Sequence, residues 1–131
     1  MFCSTGTLRY GKDPYKLIVE IDPEIGRYYY KQILGQNIRV NKQKYATHIS
    51  VVRKEIPPLM EHWGKYEGKQ IEFAYEHHLY NDATYYWLNV WCQELEEIRK
   101  ELGCRPTSAF TRGPDGAHRF HATIANIKGI V

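Results

Sequence analysis

The chain has 131 residues, of which 43% are hydrophobic and 25% charged, with a formal net charge of +3. That length supports one domain with a core rather than two, and the balance is that of a globular protein. The charge is too mild for a duplex-DNA binder, no apolar run approaches the roughly 20 residues of a membrane helix, and residues 1–6 lack a signal peptide's basic-then-apolar pattern.

The predicted elements alternate. Gly6-Thr7-Leu8-Arg9-Tyr10-Gly11 reads as a glycine-flanked loop that presents Tyr10. The run over 16–21 is apolar and β-branched, a buried strand. Asp22 and Pro23 then signal a helix start, with Asp as N-cap and Pro in the first turn, and the helix is expected to stop near Gly35. A polar connection leads to a strand over 46–52. Pro57-Pro58 opens a short helix through Met60 and Trp63 that ends at Gly64.

In the second half, residues 69–75 alternate polar and apolar, the pattern of a half-buried strand. Residues 81–83 form a turn. The strand over 85–91 carries Trp87 and Trp91 as core residues. A helix over 93–102 buries Leu95, Ile98 and Leu102, and its Glu94, Glu96, Glu97, Arg99, Lys100 and Glu101 are expected on a solvated face with ordinary charge pairs. A loop rich in Arg, Pro and Gly precedes the last strand, over 120–127.

Two of these strands carry the same phrase. One is His48-Ile49-Ser50 and the other is His121-Ala122-Thr123. Side chains two apart on a strand share a face, so each phrase presents an imidazole beside a hydroxyl. Each phrase also follows a strand and a helix. Leu17 precedes His48 by 31 positions and Trp87 precedes His121 by 34. The chain thus has an internal pseudo-symmetry in which a twofold would bring both histidine strands to one surface. A single His-x-Ser or His-x-Thr is commonplace; two at matching places in a repeated unit are not. The architecture expected is an α+β or α/β sheet protein with helices packed outside the sheet.

The chemistry suits a phosphodiester beside a ribose 2′-hydroxyl. Cleavage needs a base for the hydroxyl proton, an acid for the leaving 5′-oxygen, and donors for the non-bridging oxygens. Imidazole serves both proton roles near neutral pH, and a bell-shaped pH–rate curve follows when one must be neutral and the other protonated. The hydroxyls of Ser50 and Thr123 supply preorganised donors. No cofactor is required by this scheme, and no metal-ligand spacing is visible. Cys3, Cys92 and Cys104 are widely spaced and odd in number, so they are read as thiols of a reducing compartment.

These two phrases resemble the signature of the two-histidine (2H) phosphoesterase superfamily, which includes the LigT-like RNA ligases and cyclic phosphodiesterases. The resemblance selects α+β and implies a fold of two pseudo-symmetric strand–helix–strand lobes around a central cleft, in a single domain spanning 1–131. It also implies His48 and His121 as acid and base and Ser50 and Thr123 as phosphate donors. The chain is shorter than typical LigT-like members. In that it is similar to the compact phage anti-CBASS nucleases, which cut cyclic oligonucleotide second messengers, as it is in carrying a tyrosine, Tyr10, before the strand over 16–21. The partners so implied are a cyclic oligonucleotide or an RNA-terminal cyclic phosphate, not duplex DNA or a membrane, and the location implied is cytoplasmic, that of a host cell if phage-encoded.

Candidate substrate-binding residues complete the reading. Tyr10 and Tyr80 can stack on bases. Arg112 and Arg119 flank the second phrase, and the planar guanidinium suits phosphate. Lys128 stands past the far end of the last strand. Three functions are compatible with these features: cleavage of cyclic di- or trinucleotides, opening of 2′,3′-cyclic phosphates in RNA processing or repair, and sequestration of nucleotides without turnover.

Overall fold

The computed structural model describes residues 1–107 and 117–130. Eight strands and two α-helices follow in the order β1 (Phe2–Gly11), β2 (Lys16–Ile21), α1 (Pro23–Gly35), β3 (Asn41–Lys42), β4 (His48–Val52), β5 (Gln70–Tyr75), β6 (Tyr80–Asn81), β7 (Tyr85–Trp91), α2 (Gln93–Glu101) and β8 (Phe120–Asn126). A single 3₁₀ turn, Met60–His62, stands where the proline pair predicts a short helix. The fold is α+β.

Six strands close into a barrel in the order β4-β2-β1-β5-β7-β8, with β8 pairing back to β4, and every pairing is antiparallel. Closure removes the free edges that an open sheet would expose. The two-residue strands β3 and β6 extend the wall beside β8 and β7. The order is palindromic in origin: β4, β2 and β1 mirror β8, β7 and β5. Each half is a strand, a second strand, a helix and a motif strand. The halves join into one barrel instead of standing apart as two lobes.

The repeat is longer than the sequence reading allows, because residues 2–11 form a full strand and not a loop. Gly6 and Leu8 are buried and alternate with more exposed neighbours. Gly6 is there for closeness: a Cβ at that position would overlap Val19 and the Glu20 carbonyl of the adjacent strand. A glycine that reads as a loop signal is thus a strand-packing residue.

Side chains fill the barrel. Leu8, Val19, Ile49, Phe73, Val90 and Ala122, one from each barrel strand, belong to one buried cluster. Each fully buried aliphatic side chain of this kind contributes about 1.5–3 kcal/mol. The helices leave from opposite ends, because α1 follows β2 and α2 follows the oppositely directed β7. Helix α1 starts as expected, with the Asp22 carboxylate accepting from the Glu24 amide at 2.9 Å and proline in the first turn. Its Tyr29 and Ile33 pack on Leu88, Ile124 and Ala125. Helix α2 buries Leu95, Ile98 and Leu102 in the main cluster.

One expectation about α2 is overturned. Arg99 does not lie on the solvated face but is 1% exposed. Its guanidinium donates to the Val51 carbonyl at 2.6 Å, to the Arg105 carbonyl at 2.6 Å and to the Glu55 carboxylate at 3.0 Å. Helical spacing puts Arg99 next to the apolar stripe of Leu95, Ile98 and Leu102. The fork finds enough acceptors there to be buried.

Candidate functional site

The two motif strands are neighbours. β4 and β8 pair at Ile49 and Ala122, the middle residue of each phrase. Both are buried in the barrel core, so the residues one step to either side face outward. Antiparallel register then sets His48 opposite Thr123 and Ser50 opposite His121. The four side chains form a two-by-two patch on the outer wall. Opposed Cβ atoms in such a pair lie about 4.5–5.5 Å apart and diagonal ones about 7–8 Å. The two imidazoles occupy one diagonal and the two hydroxyls the other.

The patch belongs to two longer rows. Tyr80 pairs with Trp87, Trp87 with Thr123, and Glu20 with His48, so Tyr80, Trp87, Thr123, His48 and Glu20 cross five strands on one face. The second row runs Asn89, His121, Ser50 and Ile18. A register shift between Tyr86 and Trp87 sets these rows and re-aims the side chains beyond it.

The two histidines have different surroundings. His48 opens β4 and is half-buried. Its Nδ1 lies 2.8 Å from the Ala46 carbonyl, which can only accept, so Nδ1 is the protonated donor of this contact. His121 is 7% exposed, beside Asn89 at 8% exposure. It is buried in the outer wall, away from the aliphatic interior. Asn89 is itself engaged, its Oδ1 accepting from Trp87 Nε1 at 3.1 Å. Ser50 and Thr123 are half-buried.

The candidate binding residues divide. Tyr80 lies in the first row, with its ring stacked on Trp87 at 6.3 Å between centroids and its hydroxyl donating to Glu76 at 2.9 Å. Arg119 is half-buried immediately before β8, two positions ahead of His121. Tyr10 is not brought to the patch. It packs against the main cluster, edge-on to Trp63 at 5.0 Å, and burial pushes its hydroxyl up to about 12. Lys128 lies past the end of β8, with its ammonium 4.9 Å from the Tyr85 ring centre and its carbonyl accepting from Asn41. Arg112 lies outside the described residues. Of the two tryptophans expected in the core, Trp87 is fully buried and Trp91 half-buried.

Sequence reasoning missed Asn89 and Glu20. Asn89 had a signal, a polar residue inside the apolar run Trp87-Leu88-Asn89-Val90. Glu20 had none, because only the β2–β4 register pairs it with His48. Glu20 is exposed and ion-paired to Arg9 at 3.4 Å.

Comparison with protein-family models, with curated proteins and with solved structures returns no match to this chain.

Proposed function

We propose that the protein is a phosphodiesterase that works by histidine acid–base catalysis on small RNA-like substrates. The observation that carries this reading is the pairing of β4 and β8 at Ile49 and Ala122, which gathers two imidazoles and two hydroxyls into one patch. The mirrored strand order of the halves supports the resemblance to the 2H phosphoesterases, with the two lobes merged into a barrel.

In the forward reaction one imidazole takes the proton of a ribose 2′-hydroxyl. The 2′-oxygen bonds to phosphorus, the bond from phosphorus to the 5′-oxygen breaks, and the other imidazole protonates that oxygen. The products are a 2′,3′-cyclic phosphate and a free 5′-hydroxyl. Ser50 and Thr123, on the opposite diagonal, donate to the non-bridging oxygens where charge accumulates. The preferred substrates in this reading are cyclic di- or trinucleotides with 3′–5′ linkages. The corresponding role is a phage's evasion of nucleotide-based host immunity. With water in place of the ribose hydroxyl, the same patch opens 2′,3′-cyclic phosphates at RNA ends.

The test is a substrate panel in EDTA: cyclic dinucleotides, cyclic trinucleotides and 2′,3′-cyclic mononucleotides, with products resolved by chromatography. Turnover of the cyclic oligonucleotides is expected. Each of His48→Ala and His121→Ala should lower kcat by about a hundred- to ten-thousandfold. Because His121 is buried, His121→Asn and a thermal melt separate lost chemistry from lost fold. Turnover of the mononucleotides alone selects RNA processing. Tight binding with intact ligand recovered selects sequestration. Near-native activity in a folded variant of either histidine overturns the acid–base assignment.

A further inference from the structure

A concavity lies beside the segment that leads into His48. Residues 42–47, which lead into His48, curve over the first turns of α1 and enclose a cavity of about 230 Å³. Arg27, Lys42 and Lys44 line it together with Tyr30, Gln43 and Tyr45, and no carboxylate among the described residues does. Arg27 is ion-paired with Glu24 just outside. Neither Lys42 nor Lys44 forms an ion pair with a described residue; the Lys44 ammonium stands 5.6 Å from the Tyr45 ring centre. Two lysines without an ion pair to a described residue, beside a guanidinium already paired with Glu24, favour an anion. The cavity falls below the roughly 300–1,000 Å³ of sites that enclose a drug-sized ligand, so it accepts a group such as a phosphate and not a whole nucleotide.

Its position ties it to the catalytic patch. Ala46 both lines the cavity and holds Nδ1 of His48. Lys42 pairs with Ala125 on β8, two residues along from Thr123 and across the register shift. Gly26 permits the arrangement: a Cβ there would overlap the Thr47 hydroxyl, so only glycine lets α1 come this close to the lining segment.

We propose that this cavity is a phosphate subsite that holds a second phosphate of the same substrate, with Lys42 and Lys44 as its binding groups. The inference rests on the phosphodiesterase reading and narrows it to substrates carrying at least two phosphates. The class so selected is a cyclic or linear oligonucleotide, in preference to a 2′,3′-cyclic mononucleotide.

The test compares wild type with Lys42→Gln, Lys44→Gln and the double variant on a cyclic dinucleotide and on a 2′,3′-cyclic mononucleotide. The double variant should raise KM for the dinucleotide about ten- to a hundredfold, with kcat little changed. It should raise the dinucleotide KM at least tenfold more than the mononucleotide KM. Lys31→Gln, which removes a charge from α1 outside the cavity, controls for general electrostatics. Equal shifts on both substrates, or none on either, overturn the subsite.

Calorimetric binding of the cyclic dinucleotide to the His48→Ala protein, with and without the lysine changes, reads the subsite independently of turnover. Loss of binding on removing the lysines sustains the subsite even where wild type turns nothing over. Unchanged binding there removes it while leaving the catalytic reading intact.

Discussion

The two halves of the barrel share one topology but brace each other by different means. Helix α1 of the first half lies on the second half's motif strand, with Tyr29 and Ile33 against Ile124 and Ala125 of β8. Helix α2 of the second half reaches the first half's motif strand, with Arg99 donating to the Val51 carbonyl of β4. One brace is apolar and adaptable; the other is a buried ionic fork with fixed geometry. The halves are thus interlocked, and the histidine patch, which takes one strand from each, cannot form from either alone. The same asymmetry appears at the imidazoles. His48 is half-exposed and tethered to its own chain at Ala46, whereas His121 is buried beside Asn89. Two chemically identical groups in symmetry-related places thereby acquire unlike surroundings.

The ionic brace is where the comparison breaks most visibly. Arg99→Met preserves bulk but leaves the Val51 carbonyl and the Glu55 carboxylate without their donor. Removing one member of a buried pair costs about 3–5 kcal/mol, and the partial exposure of Glu55 places this case at the lower end. Urea denaturation should show that loss. Arg99→Lys should recover less than half of it, because an ammonium cannot span three acceptors in one plane. A variant as stable as wild type would show that α2 is held by its apolar stripe alone.

The seat of α1 on its own half, at Gly26 and Thr47, is expected to give a smaller response. Gly26→Ala adds one methyl where α1 meets Thr47. Helix propensity alone favours alanine by about 1 kcal/mol, so stabilisation would mean the contact yields freely. We expect a net loss of about 1–3 kcal/mol, from overpacking that the backbone relieves only in part. The shift passes into residues 46–48, so kcat should fall further than stability predicts. Parallel melts and rate measurements on Gly26→Ala separate the two effects. Activity that tracks stability alone would detach Gly26 from the placement of His48.

How much of this was legible in the sequence depends on the kind of signal. Alternation and capping are local, and β2, α1, β5, β7 and α2 were readable from them. The twin phrases were readable because strand periodicity fixes which residues share a face. The adjacency of β4 and β8 was only hinted at by the repeat, since pairing partners are set by closure of the whole barrel. Strand β1 was hidden because Gly6 and Gly11 look like turn residues, and the close approach of Val19 to Gly6 is visible only once β2 is in place. Arg99 and Lys42 were hidden for the same reason: a charged side chain looks solvated until the acceptors or the hollow around it are assembled from distant segments.

Two tyrosines, one toward each end of the barrel, sharpen the comparison at the level of a single hydroxyl. Burial pushes both Tyr10 and Tyr29 up to about 12 from the ordinary 10.0. The Tyr10 hydroxyl is buried with no hydrogen-bond partner among the described residues. The Tyr29 hydroxyl shares a hydrogen bond of 2.6 Å with Nδ1 of His77. At pH 7 the two Phe substitutions should therefore differ. Tyr10→Phe discards an unpaired polar atom and should be neutral or slightly stabilising. Tyr29→Phe breaks a pair and should cost about 1 kcal/mol.

At high pH the two should converge. A phenol with a raised folded-state pKa keeps its proton in the folded chain after the unfolded chain has lost it. Its contribution is therefore intact below about pH 10 and is lost progressively as pH rises toward 12. The wild-type melting temperature should fall steeply across that window. Each single Phe variant should flatten part of the fall, and the double variant more. Cys104, raised by burial to about 11 from 9.0, adds a decline that starts lower and persists in all these variants. A double Phe variant that loses stability as steeply as wild type between pH 10 and 12 would locate the alkaline transition elsewhere.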